Sequence, residues 1–277
     1  MRPNGWMLPG LLAAALSALS VTSGCATPLK SAKSAEEYQE DARRAYGKAV
    51  EAYLEEDWEL AVRLFTDLKR DYSYTRYARL AELRLADIAF RQDRFAEAIT
   101  SYKAFVHDYP TDPEVPYARY RVARALFLQS ESSFLQPPLE ERDLASVQGA
   151  YTALREFLRD FPEYPRRVEL DYMLEVVTGV LVRHELYVAR FYLSRDLFKP
   201  AVARVEYALT KYGPSELEPE AMTLLGETYL KMKDREKAEA AFRRVLSDYP
   251  ASPFAVPASR FLELMGRPVS SAEKKGS

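Results

Sequence analysis

The stretch Ala238-Glu239-Ala240-Ala241-Phe242-Arg243-Arg244-Val245-Leu246-Ser247-Asp248-Tyr249-Pro250 decides the fold, because its spacing is used five times in the chain. Its frame is Ala238, Phe242 four residues on, Val245 three further and Pro250 five further. The other copies are Ala61/Phe65/Leu68/Ser73, Ala98/Tyr102/Phe105/Pro110, Ala150/Leu154/Phe157/Pro162 and Ala201/Val205/Ala208/Gly213. Steps of four and three put side chains on one side of a helix, and a turn residue at a fixed distance stops it. Such a chain is an array of repeats, an architecture that usually serves as a scaffold for binding.

The composition agrees with helices: Gly is held to 10 of 277 residues, while Ala, Leu, Glu and Arg are plentiful. A formal net charge of −2, with Lys and Arg scattered, argues against a nucleic-acid surface. The single cysteine, Cys25, excludes an internal disulfide, and His107 and His184 are too few for a His-based zinc cluster. Both histidines fall in predicted helices and read as solvated or packed side chains.

Residues 1–24 carry Arg2, an apolar run from Leu11 to Val21 interrupted by Ser17 and Ser20, and the small residues Thr22-Ser23-Gly24 before Cys25. A membrane-spanning helix needs about 20 apolar residues, so the run fits the core of a cleaved secretory signal instead. Val21-Thr22-Ser23-Gly24-Cys25 resembles the bacterial lipobox, departing from it at Thr22, where Leu is most frequent. The resemblance implies a mature chain starting at Cys25 and anchored there by covalent diacylglycerol and N-acyl lipid, without spanning the bilayer. The alternative is an ordinary signal peptide with an incidental cysteine. Residues 25–35 read as a flexible tether reaching on the order of 35 Å. The array is expected over 36–266, and 267–277 as a disordered polar tail.

A small residue stands twelve positions before four of the frame alanines, at Ala49, Ala86, Ala189 and Gly226. With Leu225-Gly226 and Tyr229 ahead of Ala238, Phe242 and Pro250, the fifth copy resembles the tetratricopeptide repeat, in which two antiparallel helices meet at small residues. The period from Ala61 to Ala98, and from Ala201 to Ala238, is 37 residues. Asp93-Arg94 and Lys233-Asp234 read as polar turns, Tyr109-Pro110, Phe161-Pro162 and Tyr249-Pro250 as helix stops, and Asp112-Pro113 and Ser252-Pro253 as restarts.

Two insertions break the period. In the third repeat Ala123 and Ala150 are 27 apart, and Pro137-Pro138 makes the excess a loop. Ahead of Ala189 the excess keeps a helical pattern, which predicts one long helix from about Arg166 to Ser194, roughly 45 Å long, with both faces covered by neighbours. Val176, Val177, Val180 and Val182 raise a buried strand as the alternative. A last helix to about Met265 caps the array. The expected fold is therefore all-α: a right-handed superhelical solenoid of about five tetratricopeptide-like helix pairs with a C-terminal capping helix.

In tetratricopeptide proteins the first helix of each pair lines the concave surface. Carried over by position, the candidate peptide-binding groove comprises Tyr46, Tyr53, Leu83, Phe90, Arg91, Tyr117, Tyr120, Arg124 and Phe127, with Leu80, Arg43 and Asp87 among them. The fifth repeat contributes Glu220, Thr223, Glu227, Leu230 and Lys231. An aromatic trough with cations suits an extended peptide with apolar side chains or a free carboxylate. The alternative is that long first helices bury these rings against the next repeat. No phosphate loop, nucleophile elbow or His-Glu-x-x-His stands in the chain, and its carboxylates alternate with Lys and Arg, so no catalytic residue is singled out.

Lipobox, tether, five repeats, the Pro-containing insertion and the long helix together resemble the BamD family of outer-membrane assembly lipoproteins, from Cys25 to about Gly266. The resemblance implies a non-enzymatic scaffold on the periplasmic face of the outer membrane, held there by its lipid. Its implied partners are a BamA-like barrel subunit, other assembly lipoproteins and unfolded outer-membrane proteins, with no nucleic acid and no cofactor besides the lipid. Two other readings are a periplasmic tetratricopeptide coordinator of envelope constriction and a cell-wall hydrolase.

Overall fold

The computed structural model describes residues 33–131, 144–213 and 215–266. The signal, Cys25, most of the tether, the Pro-containing insertion and the tail lie outside the described residues. Five helix pairs follow one another: α1 (Ala35–Leu54) with α2 (Trp58–Asp71), α3 (Arg76–Arg91) with α4 (Phe95–Asp108), and α5 (Val115–Glu131) with α6 (Ala145–Asp160). The fourth pair is α7 (Arg167–Leu193) with α8 (Phe198–Lys211), and the fifth is α9 (Glu218–Lys231) with α10 (Arg235–Asp248). A closing helix, α11 (Ala255–Gly266), completes an all-α solenoid. Each helix packs on its sequence neighbours, and beyond these the substantial contacts join α1 to α3, α5 to α7 and α9 to α11.

The frame is the core. All fifteen residues at its first three positions, from Ala61, Phe65 and Leu68 to Ala238, Phe242 and Val245, are at most 1% exposed. Each frame helix presents this stripe to the first helix of its own pair, where Ala49, Ala86, Ala123 and Ala189 are equally buried. Gly226 shows why the contact demands small residues: a Cβ there would lie 2.6 Å from the Phe242 ring.

The turns within pairs repeat a backbone solution. Glu56, Asp93, Asp196 and Lys233 each stand five residues before a frame alanine and adopt φ of 58–63°. The following amide, of Asp57, Arg94, Leu197 and Asp234, reaches back to the carbonyls of Ala52, Ala89, Tyr192 and Tyr229 at 2.9–3.0 Å. This closes a Schellman motif on a residue that has a side chain. Eleven residues after each frame alanine stands an aromatic ring, at Tyr72, Tyr109, Phe161, Tyr212 and Tyr249. Its amide caps the helix by bonding the carbonyl of the third frame residue at 2.8–3.1 Å.

Two expectations change and one holds. Asp112 and Ser252 do not cap helices directly: their side chains accept from Glu114 N at 3.0 Å and Phe254 N at 3.3 Å, forming a turn one step ahead of α5 and α11. The valine-rich run is helical throughout, since it forms part of the 27-residue α7. The long helix is not covered on both faces, however: Val168 is 85% and Tyr172 63% exposed. The reason is length, because its partner α8 has only 14 residues and ends before the first half of α7 is reached.

Candidate functional site

The first helices α1, α3, α5 and α7 carry a ladder of arginines, aromatic rings and two carboxylates. Its centre is Asp87 on α3, 1% exposed. The Tyr117 hydroxyl donates to Asp87 Oδ1 at 2.7 Å, and the Tyr102 hydroxyl from α4 donates to the same atom. Arg84 donates to the other carboxylate oxygen, and Arg121 Nε lies 3.2 Å from Oδ1 and 2.9 Å from the Tyr102 hydroxyl. Arg84 also donates to the Tyr46 hydroxyl at 3.2 Å, tying α1 into the same network. The guanidinium of Arg121 sits 3.8 Å over the Phe90 ring, and that of Arg124 lies 5.6 Å from it.

A second cluster continues the ladder onto α7. Glu169 accepts the Tyr120 hydroxyl at 3.0 Å and pairs with Arg124 and Arg166, each at 3.3 Å. Four guanidiniums thus share two carboxylates, leaving net positive charge in these two clusters.

The titration of these groups reflects their surroundings. Burial, then the Asp87 charge, pushes the hydroxyls of Tyr102 and Tyr117 well above the ordinary tyrosine range. Burial works against the charge of Arg84 and Arg121, but Asp87 and the surrounding hydroxyls outweigh it and hold both higher than an exposed arginine. Arg91 is raised chiefly by its hydrogen bond with Tyr53. At the other end of the array, burial lifts Glu227 against the opposing pull of Arg190 and Lys231.

The predicted groove residues divide. Leu83, Tyr120, Phe127 and Phe90 are core, at 0, 2, 5 and 8% exposure, and do not line a free surface. The long first helices overlap the next repeat and bury these rings, which was the second of the two readings. Tyr46, Tyr53, Tyr117 and Arg124 are half-buried and Arg91 is exposed, as is Arg43. Asp87 is buried beneath them and orients the cations. In the fifth repeat Thr223 is buried, Glu220, Glu227 and Leu230 are half-buried, and Lys231 is exposed.

Arg84, Arg121 and Tyr102 were not among the candidates. A signal for two of them exists: Arg84 and Arg121 each precede the small residue, Ala86 or Ala123, by two positions and are one 37-residue period apart. Among the described residues, no group of His, Cys, Asp and Glu could hold a metal ion, and no helix is long and apolar enough to cross a membrane.

A family model described as YfiO, outer membrane lipoprotein, matches residues 38–241. The outer membrane protein assembly factor BamD of Neisseria gonorrhoeae is 26% identical over 237 residues, which are 84% of this chain and 88% of that protein. The BamD of Caulobacter vibrioides is 26% identical over 268 residues, covering 96% of this chain and 85% of the other. Among solved structures, the TPR2AB domain of yeast Sti1 aligns over 82% of this chain and 84% of its own, with 10% identity and a TM-score of 0.44.

Proposed function

The chain belongs to the YfiO family of outer membrane lipoproteins, and we propose that it is a non-enzymatic scaffold of the machinery that assembles β-barrel proteins in the outer membrane. The observation that carries this reading is the length of the match: the BamD assembly factors of two organisms pair with 84 and 96% of this chain. The scaffold is anchored through lipid on Cys25 and works on the periplasmic face.

The ladder supports a division of labour along the array. The half-buried rings Tyr53, beside Arg91, and Tyr117, beside Arg84 and Arg121, with the half-buried Arg124 form a cationic, partly apolar face that suits the aromatic-ended terminal segment of an unfolded barrel protein. The carboxy-terminal repeats, where Glu220 pairs with Arg190 and Glu227 feels the charges of Arg190 and Lys231, offer a charged face for a folded partner, a BamA-like barrel subunit.

One experiment tests the proposal. Extracted from outer membranes in mild detergent, the native chain brings down a barrel protein with periplasmic domains, while Cys25→Ala leaves the chain in the soluble fraction. Recovery of the chain without such a barrel protein overturns the assembly role. Membrane retention of Cys25→Ala overturns the lipid anchor.

A further inference from the structure

α7 is 27 residues long and its partner α8 is 14. The 13-residue difference leaves about 20 Å of α7 running past the end of the helix that should cover it. In the other pairs the two helices are 20 and 14, 16 and 14, 17 and 16, and 14 and 14 residues long. The uncovered stretch is the floor of a cleft of about 980 Å³. Tyr172, Val176 and Gly179 form that floor, Tyr151 and Arg155 of α6 one wall, and Leu217 ahead of α9 the other.

We infer that this cleft seats a single amphipathic helix of a partner protein, lying where a longer α8 would have continued. Tyr172, Val176 and Gly179 follow one another at steps of four and three, so they present an apolar ridge to a helix lying alongside. Gly179 is the point of close approach: a Cβ there would meet nothing nearer than Arg183 Nη2 at 4.0 Å, so the space above it is open. The rim carries Asp171, Glu175 and Glu216 against Arg155, Arg183 and Lys211. On α7 itself Asp171 is paired with Arg167 at 3.3 Å, which leaves Glu175 and, two turns on, Arg183 as the charges offered to an occupant. The fitting helix therefore bears a basic residue near Glu175, an acidic one near Arg183, and apolar residues at helical spacing between.

Other occupants fit less well. An extended peptide needs backbone partners, and the floor is a helix whose own amides and carbonyls are bonded within it, so a strand would carry unpaired groups into an apolar cleft. A second copy presents the same α7 recessed between the same walls, out of reach of the first. Within this chain, residues 132–143 are interrupted by Pro137-Pro138, and residues 267–277 offer Val269 as their one large aliphatic side chain.

A photoreactive benzophenone side chain placed at position 172 of the full chain in native membranes tests this. The expected product is an adduct with a segment of another protein carrying apolar residues at i, i+4 and i+7. A synthetic peptide of that segment should gain helicity on binding the purified chain, as read by circular dichroism. Gly179→Leu should weaken this peptide at least tenfold while leaving the thermal melt unchanged or higher, since the added side chain points into the open cleft. Adducts within the chain or with a second copy, absence of any adduct, binding without gain of helicity, or full affinity in Gly179→Leu would each overturn the inference.

Discussion

The second and fifth repeats share one frame and fill it with opposite chemistry. At the second frame position Tyr102 stands in one and Phe242 in the other, and the facing small residue is Ala86 in one and Gly226 in the other. The Tyr102 hydroxyl enters the buried network of Asp87, Tyr117 and Arg121. Phe242 instead stacks on Phe261 of α11, with centroids 4.9 Å apart and planes at 13°, its other side filling the space that Gly226 leaves. The backbone geometry is thus indifferent to polarity. What changes is the cost of error: a buried polar network tolerates no missing member, whereas a stacked apolar contact tolerates no added volume.

The sharpest way to break the comparison is Asp87→Ala. It removes the acceptor shared by Arg84, Arg121, Tyr102 and Tyr117, and uncompensated buried charge costs about 3–5 kcal/mol. Urea denaturation should show a loss of that size; a loss under about 1 kcal/mol would mean that the second and third repeats are joined by apolar packing alone. The matching test in the fifth repeat is Gly226→Ala. Its Cβ would sit 2.6–2.9 Å from three atoms of the Phe242 ring, and overpacking of this kind costs about 1–3 kcal/mol, partly offset by the better helix propensity of Ala. Adding Phe242→Leu should recover part of the loss in the same denaturation experiment. The smallest effect is a gain and belongs to neither chemistry: Lys233→Gly relieves a left-handed residue at φ 63° and should raise stability by about 0.5–1 kcal/mol, the glycine's extra freedom when unfolded limiting the benefit. A thermal melt that fell instead would show that the Lys233 side chain makes a contact worth more than the strain.

Much of the fold was legible because a single periodic rule, Ala then +4 then +7, produces every buried stripe in the second helices. The aromatic ring at +11 obeys an equally strict rule that was legible only in part: Tyr109, Phe161 and Tyr249 read as helix stops because Pro follows them, while Tyr72 and Tyr212, which cap in the same way, have no Pro to mark them. The groove was legible in register but not in exposure. Leu83 and Tyr120 occupy equivalent positions 37 residues apart, and nothing in either position tells how far the next repeat overlaps it. The Asp87 network was hidden for a different reason: apart from Arg84 one turn away on α3, its partners Tyr102, Tyr117 and Arg121 lie 15–34 residues off, and spacing within one helix carries no trace of them. The open face of α7 was misjudged because hydropathy reports how apolar a helix is, while coverage depends on the length of the helix beside it.

The predominantly neighbour-to-neighbour packing of the eleven described helices has a kinetic consequence. Contacts that join residues near in sequence close small loops, and small loops close quickly. A chain delivered from its amino terminus could therefore complete α1 with α2, then α3 with α4, before the later helices had arrived. No early repeat would wait, half-made and sticky, for a distant carboxy-terminal segment to return to it.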